Sequence, residues 1–471
     1  MKVYHYRSTE VARLEIDKGT FHFSSTNELN DPLEGVINVY WKASKLEWEG
    51  LFCTYGFSLL KSLFNYYLEL HVDRNNNDNA NHILKCNDSW IFFQSHCGFK
   101  NVLDSLYTEI TNLPIVQSIL EYCCSKQKNQ KITKNTLIVF LYYAHLDIFK
   151  LCIQKMQTLE ILKQDAEKII RRIDKKLSIS EDAIKDFKDF FLHQDDLTDY
   201  CNKTRNDCLK IGIKQDLKEL IVKDLDLDTF NKRKHWFDLE TDFPQVFVEE
   251  ISKLIFPESY VTCFSLNCNN SALWGNYADS HRGVCLIYEF LEEAPILKNT
   301  ELENKISKKK VEYTDTPLEC NFFESFYNVE NIDKLVWMPR LNEMTRKTNQ
   351  NIIIRQSIIS AYHGICKNKE FRKFKDWSYE QEYRISLPNS ELTSIKSSKR
   401  NLEFNPNLLK GVIFGINTSN SDKIDILRLL KKYLEQLPDD RKKDFKIYQA
   451  YYDEVTNSID KLEINYGDLL E

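Results

Sequence analysis

Residues 376–387, DWSYEQEYRISL, place two glutamates and an arginine at alternate positions of a segment with the composition of a β-strand. Successive side chains of a strand point to opposite faces, so the alternation predicts that Glu380, Glu382 and Arg384 share one face. That face then carries two negative charges and one positive charge within reach of each other. The pattern suits a site that acts on a charged substrate. It also suits an exposed edge strand, whose charges prevent pairing with other chains.

The composition is that of a soluble globular protein. The chain has 471 residues, of which 42% are hydrophobic and 28% charged, and this length allows two or three domains. A net charge of -6 argues against strong affinity of the whole chain for nucleic acid. The N-terminal stretch MKVYHYRSTEVARL lacks the apolar region of a secretory signal, and no apolar run approaches about 18 residues, so we expect no membrane span. Without a signal, the 13 scattered cysteines indicate reduced thiols in a cytoplasm.

The N-terminal segment predicts a β-α-β unit that belongs to an α/β body. Residues 3–7, VYHYR, predict a first strand, and a helix follows between an N-cap at Ser8 and a C-terminal glycine at Gly19. Residues 20–25, TFHFSS, predict a second strand, and the Asn, Asp, Pro and Gly of NELNDPLEG predict a turn. We assign residues 1–41 to the first strands of this body.

Residues 42–254 predict a large helical insertion. Within it, residues 135–154 are apolar enough for a buried helix. Residues 155–177 predict one long amphipathic helix, because apolar side chains recur at spacings of three and four. These side chains are Met156, Leu159, Leu162, Ala166, Ile169 and Ile173. The basic loop at residues 125–134 predicts a solvated surface rather than a nucleic-acid site.

Strand patterns return after the insertion, and residues 255–455 predict the remainder of the α/β body. The predicted strands are SYVTCFSLN at 259–267, GVCLIYEF at 283–290, KVEYTD at 310–315, LKGVIFG at 409–415 and FKIYQAYYD at 445–453 as the last strand. Residues 352–371 predict a helix that leads into the DWSYEQEYRISL segment, and another helix is expected to begin near Ser421. Residues 456–471 are left as a C-terminal tail.

Polar residues stand at the ends of several predicted strands, which is how sites are often built from distant parts of a chain. These residues are His5 and Arg7, then Ser24, Ser25 and Thr26, then Ser265, Trp274, Tyr277 and His281, and finally Glu380, Glu382 and Arg384. Each has a structural alternative, such as an exposed strand flank, a turn cap or core packing. The sequence has no P-loop, no G-x-G-x-x-G after a strand and no zinc-ligand spacing, so a Rossmann-type cofactor site and a structural zinc are not expected.

Several motifs follow one another along the chain: YHYRS, FSSTNELNDPLEG, CFSLNCNNSALWGNYADSHRGVCLIYEF, VEYTD, WSYEQEYRI and LKGVIFG. Their order resembles that of a widespread bacterial family, the domain of unknown function 2971. The resemblance covers roughly residues 1–40 and 260–416. The helical block between the first two motifs looks longer than is usual for the family.

The layout of these motifs is in turn similar to that of ADP-ribosyltransferases, which bind NAD in a split mixed β-sheet without a Rossmann motif. The similarity implies an α+β fold in which a split mixed-sheet body carries a large all-α insertion. It also implies that His5 or Arg7 binds NAD, that Glu382 is the catalytic carboxylate and that Glu380 orients the acceptor.

The same similarity implies that a serine-bearing strand braces the site, and two segments compete for this role. Ser24 to Thr26 have the right composition but follow the first strand very closely, whereas Ser265 is better placed in chain order but lacks the full motif. The residues that would surround NAD are therefore His5, Arg7, Ser24, Ser25, Ser265, Tyr277, His281 and Arg384.

Cleavage of the nicotinamide–ribose bond is chemistry that needs a fixed carboxylate. The bond breaks with oxocarbenium character on the ribose, which a carboxylate stabilises, and a second carboxylate can orient the incoming nucleophile. Mutual repulsion should raise the pKa of one glutamate, while Arg384 opposes that shift. Aromatic rings nearby suit stacking against nicotinamide.

The resemblance thus implies an NAD-consuming enzyme in a bacterial cytoplasm, acting as a toxin or an anti-phage effector. It would modify a protein or nucleic acid or hydrolyse NAD, and a protein partner could bind the helical insertion. One alternative is a Mg²⁺-dependent nuclease that uses Asp31, Glu34, Glu380, Glu382 and His281, although the usual nuclease lysine is missing from the sequence pattern. The other is a non-enzymatic module in which the α/β body senses a ligand.

Overall fold

The computed structural model describes most of the chain. The described ranges are 1–71, 97–162, 166–175, 238–326, 362–388 and 400–464, together with residues 203 and 236. Short gaps inside them are 26–27, 32–33, 35, 125–130, 256–258, 292–293, 363, 367, 439–441 and 443. Most of the helix predicted at 352–371 lies outside the described residues, as does Thr26.

The chain forms two compact units. Unit 1 comprises residues 1–37, 257–318 and 363–471, and unit 2 comprises residues 38–256 and 319–362. Unit 2 contains all of the helical insertion predicted at residues 42–254, together with a second stretch of chain at 319–362.

The strands of the described chain are numbered in sequence order. They are β1 (Lys2–Arg7), β2 (Thr20–His22), β3 (Ser24–Ser25), β4 (Ile37–Trp41), β5 (Ile132–Thr133), β6 (Ser259–Ser265), β7 (Val284–Glu289), β8 (Ser307–Lys310), β9 (Glu312–Tyr313), β10 (Leu318–Asn321), β11 (Arg372–Lys373), β12 (Glu382–Pro388), β13 (Asn401–Glu403), β14 (Leu409–Phe414), β15 (Lys446–Asp453) and β16 (Ser458–Glu463). Strand β16, in the segment left as a tail by the sequence analysis, shows that β15 is not the last strand.

The α-helices are numbered in the same way. They are α1 (Thr9–Lys18), α2 (Lys45–His71), α3 (Cys97–Thr111), α4 (Pro114–Cys124), α5 (Lys134–Thr158), α6 (Phe243–Leu254), α7 (Ser271–Tyr277), α8 (Thr300–Glu303), α9 (Phe322–Phe326) and α10 (Asn420–Glu435). A further helical stretch covers residues 166–175.

A nine-stranded mixed sheet forms the centre of unit 1. Its order is β16-β15-β14-β7-β1-β6-β12-β8, and β3 pairs beside β6. Strands β14 and β15, joined through α10, are parallel, whereas the other pairs are antiparallel. The combination of this mixed sheet with separate helices confirms the predicted α+β class.

The sheet forks between β1 and β6. The two strands pair at a single position, Tyr4 opposite Ser265. Farther along β6, Val261 pairs instead with Ser24 of β3. Strands β1 and β6 diverge beyond their one pair. The fork therefore leaves open the backbone edges and polar side chains that a continuous sheet would bury.

Helix α1 follows β1 because its two ends are specified locally. The Ser8 side chain accepts a hydrogen bond from the Val11 backbone N–H, and Gly19 adopts a left-handed conformation with φ 61°, as predicted. The apolar side of α1 presents Ala12 and Ile16 to the core. A Ser-to-Ala change at the cap would cost about 1 kcal/mol.

The two faces of the central sheet carry separate apolar clusters. One face packs Val3, Phe264 and Leu286 with α1 and α10, and the other packs Tyr6 and Trp274 beside α7. This division follows from the alternation of side chains along the strands. Trp274 is fully buried in the second cluster, so it belongs to the core.

Unit 2 is built from packed helices. The apolar helix predicted at 135–154 is confirmed as α5, which contacts α2, α3, α4 and α6. Helix α5 contains an 18-residue window with mean hydropathy 1.6, contrary to the expectation that no segment is apolar enough to cross a membrane. That window is 67% buried inside the protein, which is the character of a core helix in a soluble protein.

The prediction of one long amphipathic helix at 155–177 is wrong. Helix α5 ends at Thr158, and Glu160 takes a left-handed conformation with φ 58°, so the chain turns before the next helical stretch begins at residue 166. Met156, Leu162 and Ile173 are nevertheless buried. Ala166 is buried as well, whereas Leu159 and Ile169 are half-buried. The apolar spacing therefore identified four of six side chains as buried but gave no indication of the turn.

Candidate functional site

A pocket of about 230 Å³ opens in unit 1 at the fork of the sheet. Consecutive residues of two strands line it, 4–7 of β1 and 261–265 of β6. Consecutive residues have side chains on alternate faces, so the strand edges, and not one face, form the walls. The other polar lining residues are His22, Ser24, Glu28, Asn30, Glu34, Tyr277, Lys373, Glu380, Glu382 and Arg384.

The segment that carries the two glutamates is a turn followed by a strand, which corrects the predicted continuous strand. Residues Lys375–Glu380 form a 3-10 helix, Gln381 is left-handed with φ 45°, and β12 begins at Glu382. Glu380 therefore does not lie on the strand. The turn still directs both carboxylates into one cluster, because each of them bonds or faces the same lysine.

Ser265 braces this turn from the neighbouring strand. Its hydroxyl donates a hydrogen bond to the Glu380 carbonyl at 2.7 Å and accepts one from the Asn267 backbone N–H at 3.0 Å. The Leu266 N–H also donates to the Gln381 carbonyl. Of the two serine segments considered in the sequence analysis, the one at Ser265 therefore holds the glutamate turn.

Both carboxylate oxygens of Glu380 are engaged. Tyr277 donates its hydroxyl proton to Oε1 at 2.6 Å, and Asn30 Nδ2 donates to the Tyr277 hydroxyl at 2.6 Å. Lys373 Nζ donates to Oε2 at 2.7 Å. Burial, followed by the negative charge of Glu382, raises the pKa of Glu380 above its ordinary value, as the sequence analysis expected for one glutamate of the pair.

Glu382 differs from Glu380 because one of its oxygens is open. Arg384 Nε and Nη2 both donate to Oε2, at 2.9 and 2.5 Å, and these two charge-assisted bonds fix the orientation of the carboxyl group. Oε1 accepts no hydrogen bond from any residue in the described part of the chain. Glu382 is 8% exposed and Glu380 1%, so Glu382 is the carboxylate with access to the pocket.

Two further charged residues, Glu34 and Lys373, complete the cluster. Neither was among the NAD-site residues predicted from the sequence. Arg384 Nη1 contacts Glu34 Oε1 at 2.6 Å, and Lys373 Nζ lies 3.5 Å from Glu34 Oε2. Glu34 appeared only in the nuclease alternative. Lys373 gave no signal at all, because a lysine in a short basic segment normally predicts an exposed position.

A second ionic group lies at the β1 edge of the fork. Glu15 of α1 accepts hydrogen bonds from His5 Nδ1 at 2.8 Å, Arg7 Nε at 3.1 Å and the Tyr288 hydroxyl at 2.7 Å. Burial alone would raise the pKa of Glu15, but the charges of His5 and Arg7 and these bonds lower it to about 2. Burial, together with the Arg7 charge, lowers the pKa of His5.

Arg7 and His5 present different groups to the pocket. The Arg7 side chain is 27% exposed, and its two terminal nitrogens have no partner among the described residues. His5 is 2% exposed, packs on the Phe264 ring at 4.5 Å between centroids, and leaves Nε2 without a hydrogen bond in the described structure. Arg7 is therefore the cation that is available to a ligand.

Eight of the ten site residues expected from the sequence line the pocket, and two do not. Ser25 is paired with Tyr260 at the far end of β3, and its backbone N–H donates to Glu28. His281 occupies a left-handed turn with φ 68° after α7, where its N–H bonds to the Trp274 carbonyl. The structure thus brings together His5, Arg7, Ser24, Ser265, Tyr277, Glu380, Glu382 and Arg384.

The fit of a divalent cation to this cluster is poor. Within the described ranges no group of three carboxylate, imidazole or thiol side chains is placed to hold one ion. Lys373 and Arg384 stand between the three glutamates and pair with a carboxylate oxygen of each. A metal would have to displace one of these two cations.

Comparison with known proteins matches one part of the chain. Residues 273–385 match the model of a family described as protein of unknown function (DUF2971). A search of curated proteins and a search of solved structures return no match. The matched segment runs from α7 to β12 and includes Tyr277, Lys373, Glu380, Glu382 and Arg384. The match confirms, over residues 273–385, the family resemblance expected from the motifs.

Proposed function

We propose that this protein is an NAD-dependent ADP-ribosyltransferase or NAD glycohydrolase in which Glu382 is the catalytic carboxylate. The observation that carries the proposal is that the arginine-held Glu382 has an open Oε1 in the same pocket as the open guanidinium of Arg7. NAD has matching charges, since its nicotinamide ring is cationic and its diphosphate anionic.

The chemistry assigned to Glu382 is electrostatic. As the bond between nicotinamide and ribose breaks, positive charge develops on the ribose, and a carboxylate fixed beside it lowers the energy of that transition state. Two hydrogen bonds from Arg384 hold the Glu382 carboxylate and prevent its rotation. Glu382 therefore needs no reorganisation when the charge appears.

Arg7 is assigned to the diphosphate of NAD. A guanidinium with two free terminal nitrogens forms paired bonds to phosphate oxygens. Glu15 holds Arg7 through Nε only, at 3.1 Å, and so orients the side chain without occupying the nitrogens that a ligand would use. The ribose and nicotinamide would then extend along the fork toward Glu382.

The acceptor and the biological setting follow from the family resemblance rather than from contacts. The nucleophile would be water or a group on a protein or nucleic acid. The similarity assigns its orientation to Glu380, but Tyr277 and Lys373 occupy both oxygens of that carboxylate, so we do not carry this role over. We place the enzyme in a bacterial cytoplasm as a toxin or anti-phage effector. Unit 2 would be the surface that receives a protein partner.

The test is release of nicotinamide from NAD by purified protein, with cell lysate as a source of acceptors. Glu382→Gln should abolish release, because an amide carries no charge to stabilise the ribose cation. Glu435→Gln, on the exposed end of α10, is the matched control and should retain full release. Retention of release by folded Glu382→Gln would refute the assignment.

One observation favours a second candidate, a nuclease. The buried Lys373 supplies the lysine that the sequence pattern lacked, beside Glu34, Glu380 and Glu382. Cleavage of DNA or RNA that requires Mg²⁺ and Lys373, in the absence of any NAD turnover, would select this candidate. The cations between the carboxylates make us rank it second.

A further inference from the structure

The lysine in the cluster has no part in the reaction as assigned above. Resting on that proposed function, we propose that Lys373 is a positioning residue, which holds Glu380 away from the ligand so that Glu382 presents the carboxylate oxygen used in the reaction.

The five charged groups form a chain in which the sign alternates. Lys373 joins Glu380, at 2.7 Å, to Glu34, at 3.5 Å. Arg384 then joins Glu34 to Glu382. Each cation thus holds one glutamate of the E-x-E pair, and Glu34 links the two halves.

Lys373 and Arg384 differ in whether the glutamate they hold keeps an oxygen without a hydrogen bond. Lys373 and the Tyr277 hydroxyl together occupy both oxygens of Glu380. Arg384 occupies one oxygen of Glu382 and leaves the other free. Lys373 therefore creates the asymmetry between two glutamates that are only two residues apart.

Burial makes the effect of Lys373 strong. Its side chain is 1% exposed, and its ammonium also lies 4.6 Å from the centre of the Trp377 ring. Water cannot replace a missing charge at such depth. Without Lys373, Glu380 would have no countercharge in contact, and protonation would relieve the repulsion with Glu34 and Glu382.

Other groups around Glu380 cannot take over this role. Tyr277 and Tyr313 both have raised pKa values because of burial and stay neutral, and Cys263 is likewise kept as a neutral thiol by burial. Arg384 is committed to Glu34 and Glu382. Lys373 is the remaining cation among the described groups that face Glu380.

The first experiment measures the pH dependence of NAD cleavage in Lys373→Met, with Lys373→Arg and the exposed Lys310→Met as comparisons. Lys373→Met should lower the rate by on the order of 100-fold near neutral pH and move the acidic limb of the profile upward. Lys373→Arg should keep the acidic limb near its wild-type position, because it keeps the charge. Equal loss at every pH in Lys373→Met would overturn the proposal.

The second experiment needs no activity. Thermal unfolding is measured for Lys373→Met and for the double variant Lys373→Met with Glu380→Gln. The pH is varied from about 5 to about 8, a range above the ordinary pKa of a glutamate. The single variant should lose stability as pH rises, because a carboxyl with a raised pKa favours the folded state only while protonated. The double variant should regain the stability that Lys373→Met loses at high pH. If Glu380→Gln does not restore that stability, the proposal is overturned.

These two measurements separate the possible failures. If wild-type protein does not cleave NAD but Glu380→Gln rescues Lys373→Met, the proposed function fails and the positioning role of Lys373 stands. If wild-type protein cleaves NAD and no rescue occurs, Lys373 supports the fold alone.

Discussion

His5 and Glu382 lie on opposite faces of the central sheet, with β6 between their strands. Tyr4 and Glu382 both pair with Ser265, so these three residues share a face, and the neighbour of Tyr4 along β1 points the other way. His5 accordingly packs on Phe264. Residues from both faces reach one pocket because β1 and β6 separate after a single pair, which makes the fork the feature that assembles the site.

Arg7→Gln should weaken substrate binding more than it slows the chemical step. The lost bonds are charge-assisted, at about 1.5–3 kcal/mol each, so KM for NAD should rise roughly tenfold or more while kcat changes less. Steady-state kinetics of nicotinamide release provide the measurement. Arg13→Gln, in an exposed ion pair with Asp425, should leave both constants unchanged, and a fall in kcat alone for Arg7→Gln would contradict this role.

Glu15 should stabilise the fold at neutral pH and lose that effect in acid. Its pKa falls from an ordinary 4.5 to about 2, so the contribution is complete above pH 4.5 and disappears as the pH falls toward 2.

Denaturant unfolding of Glu15→Gln and wild type at several pH values tests this contribution. The difference between them should shrink steadily in acid, whereas Glu10→Gln, exposed on the same helix, should show little difference at any pH. A Glu15→Gln deficit that is independent of pH would show that packing, rather than charge, is responsible.

The turn at Gln381 should respond to backbone substitutions in a characteristic order. A left-handed conformation costs a residue with a side chain about 1–2 kcal/mol, so Gln381→Gly should be neutral or stabilising and Gln381→Val strongly destabilising. Gln436, at φ -84° after α10, gives the reverse comparison, because glycine should destabilise the protein there. Chemical denaturation measures all three, and a stable Gln381→Val would argue against the turn.

Short sequence patterns predicted the helices and strands whose ends and buried faces are set by neighbouring residues. Ser8 and Gly19 delimit α1, and segments rich in apolar and aromatic residues marked β6, β7 and β14. The turn at Gln381 was missed because a glutamine in a left-handed conformation has no sequence signature. The burial of Lys373 and Glu34 could not be predicted either, since each is buried only because separate segments supply its countercharge.

Loss of Arg384 should be the most damaging single change in the cluster. Arg384 is 1% exposed, and burial opposes its charge, yet Glu382 and Glu34 raise its pKa above the ordinary value. Arg384→Met leaves those two carboxylates buried with Lys373 alone, at an expected cost of about 3–5 kcal/mol. Lysine at this position should recover part of the stability but not the two bonds that fix Glu382.

Unfolding by denaturant at pH 7, together with nicotinamide release, separates the two effects of Arg384. Arg384→Lys should fold and yet release nicotinamide far more slowly, because the Glu382 carboxylate can then rotate. Arg428→Met removes an arginine of the same unit that is 76% exposed, so it should change stability by no more than about 0.5 kcal/mol. If Arg384→Met proved as harmless as Arg428→Met, the alternating charges would not be a buried network, and the assignment of Glu382 as a fixed carboxylate would lose its physical basis.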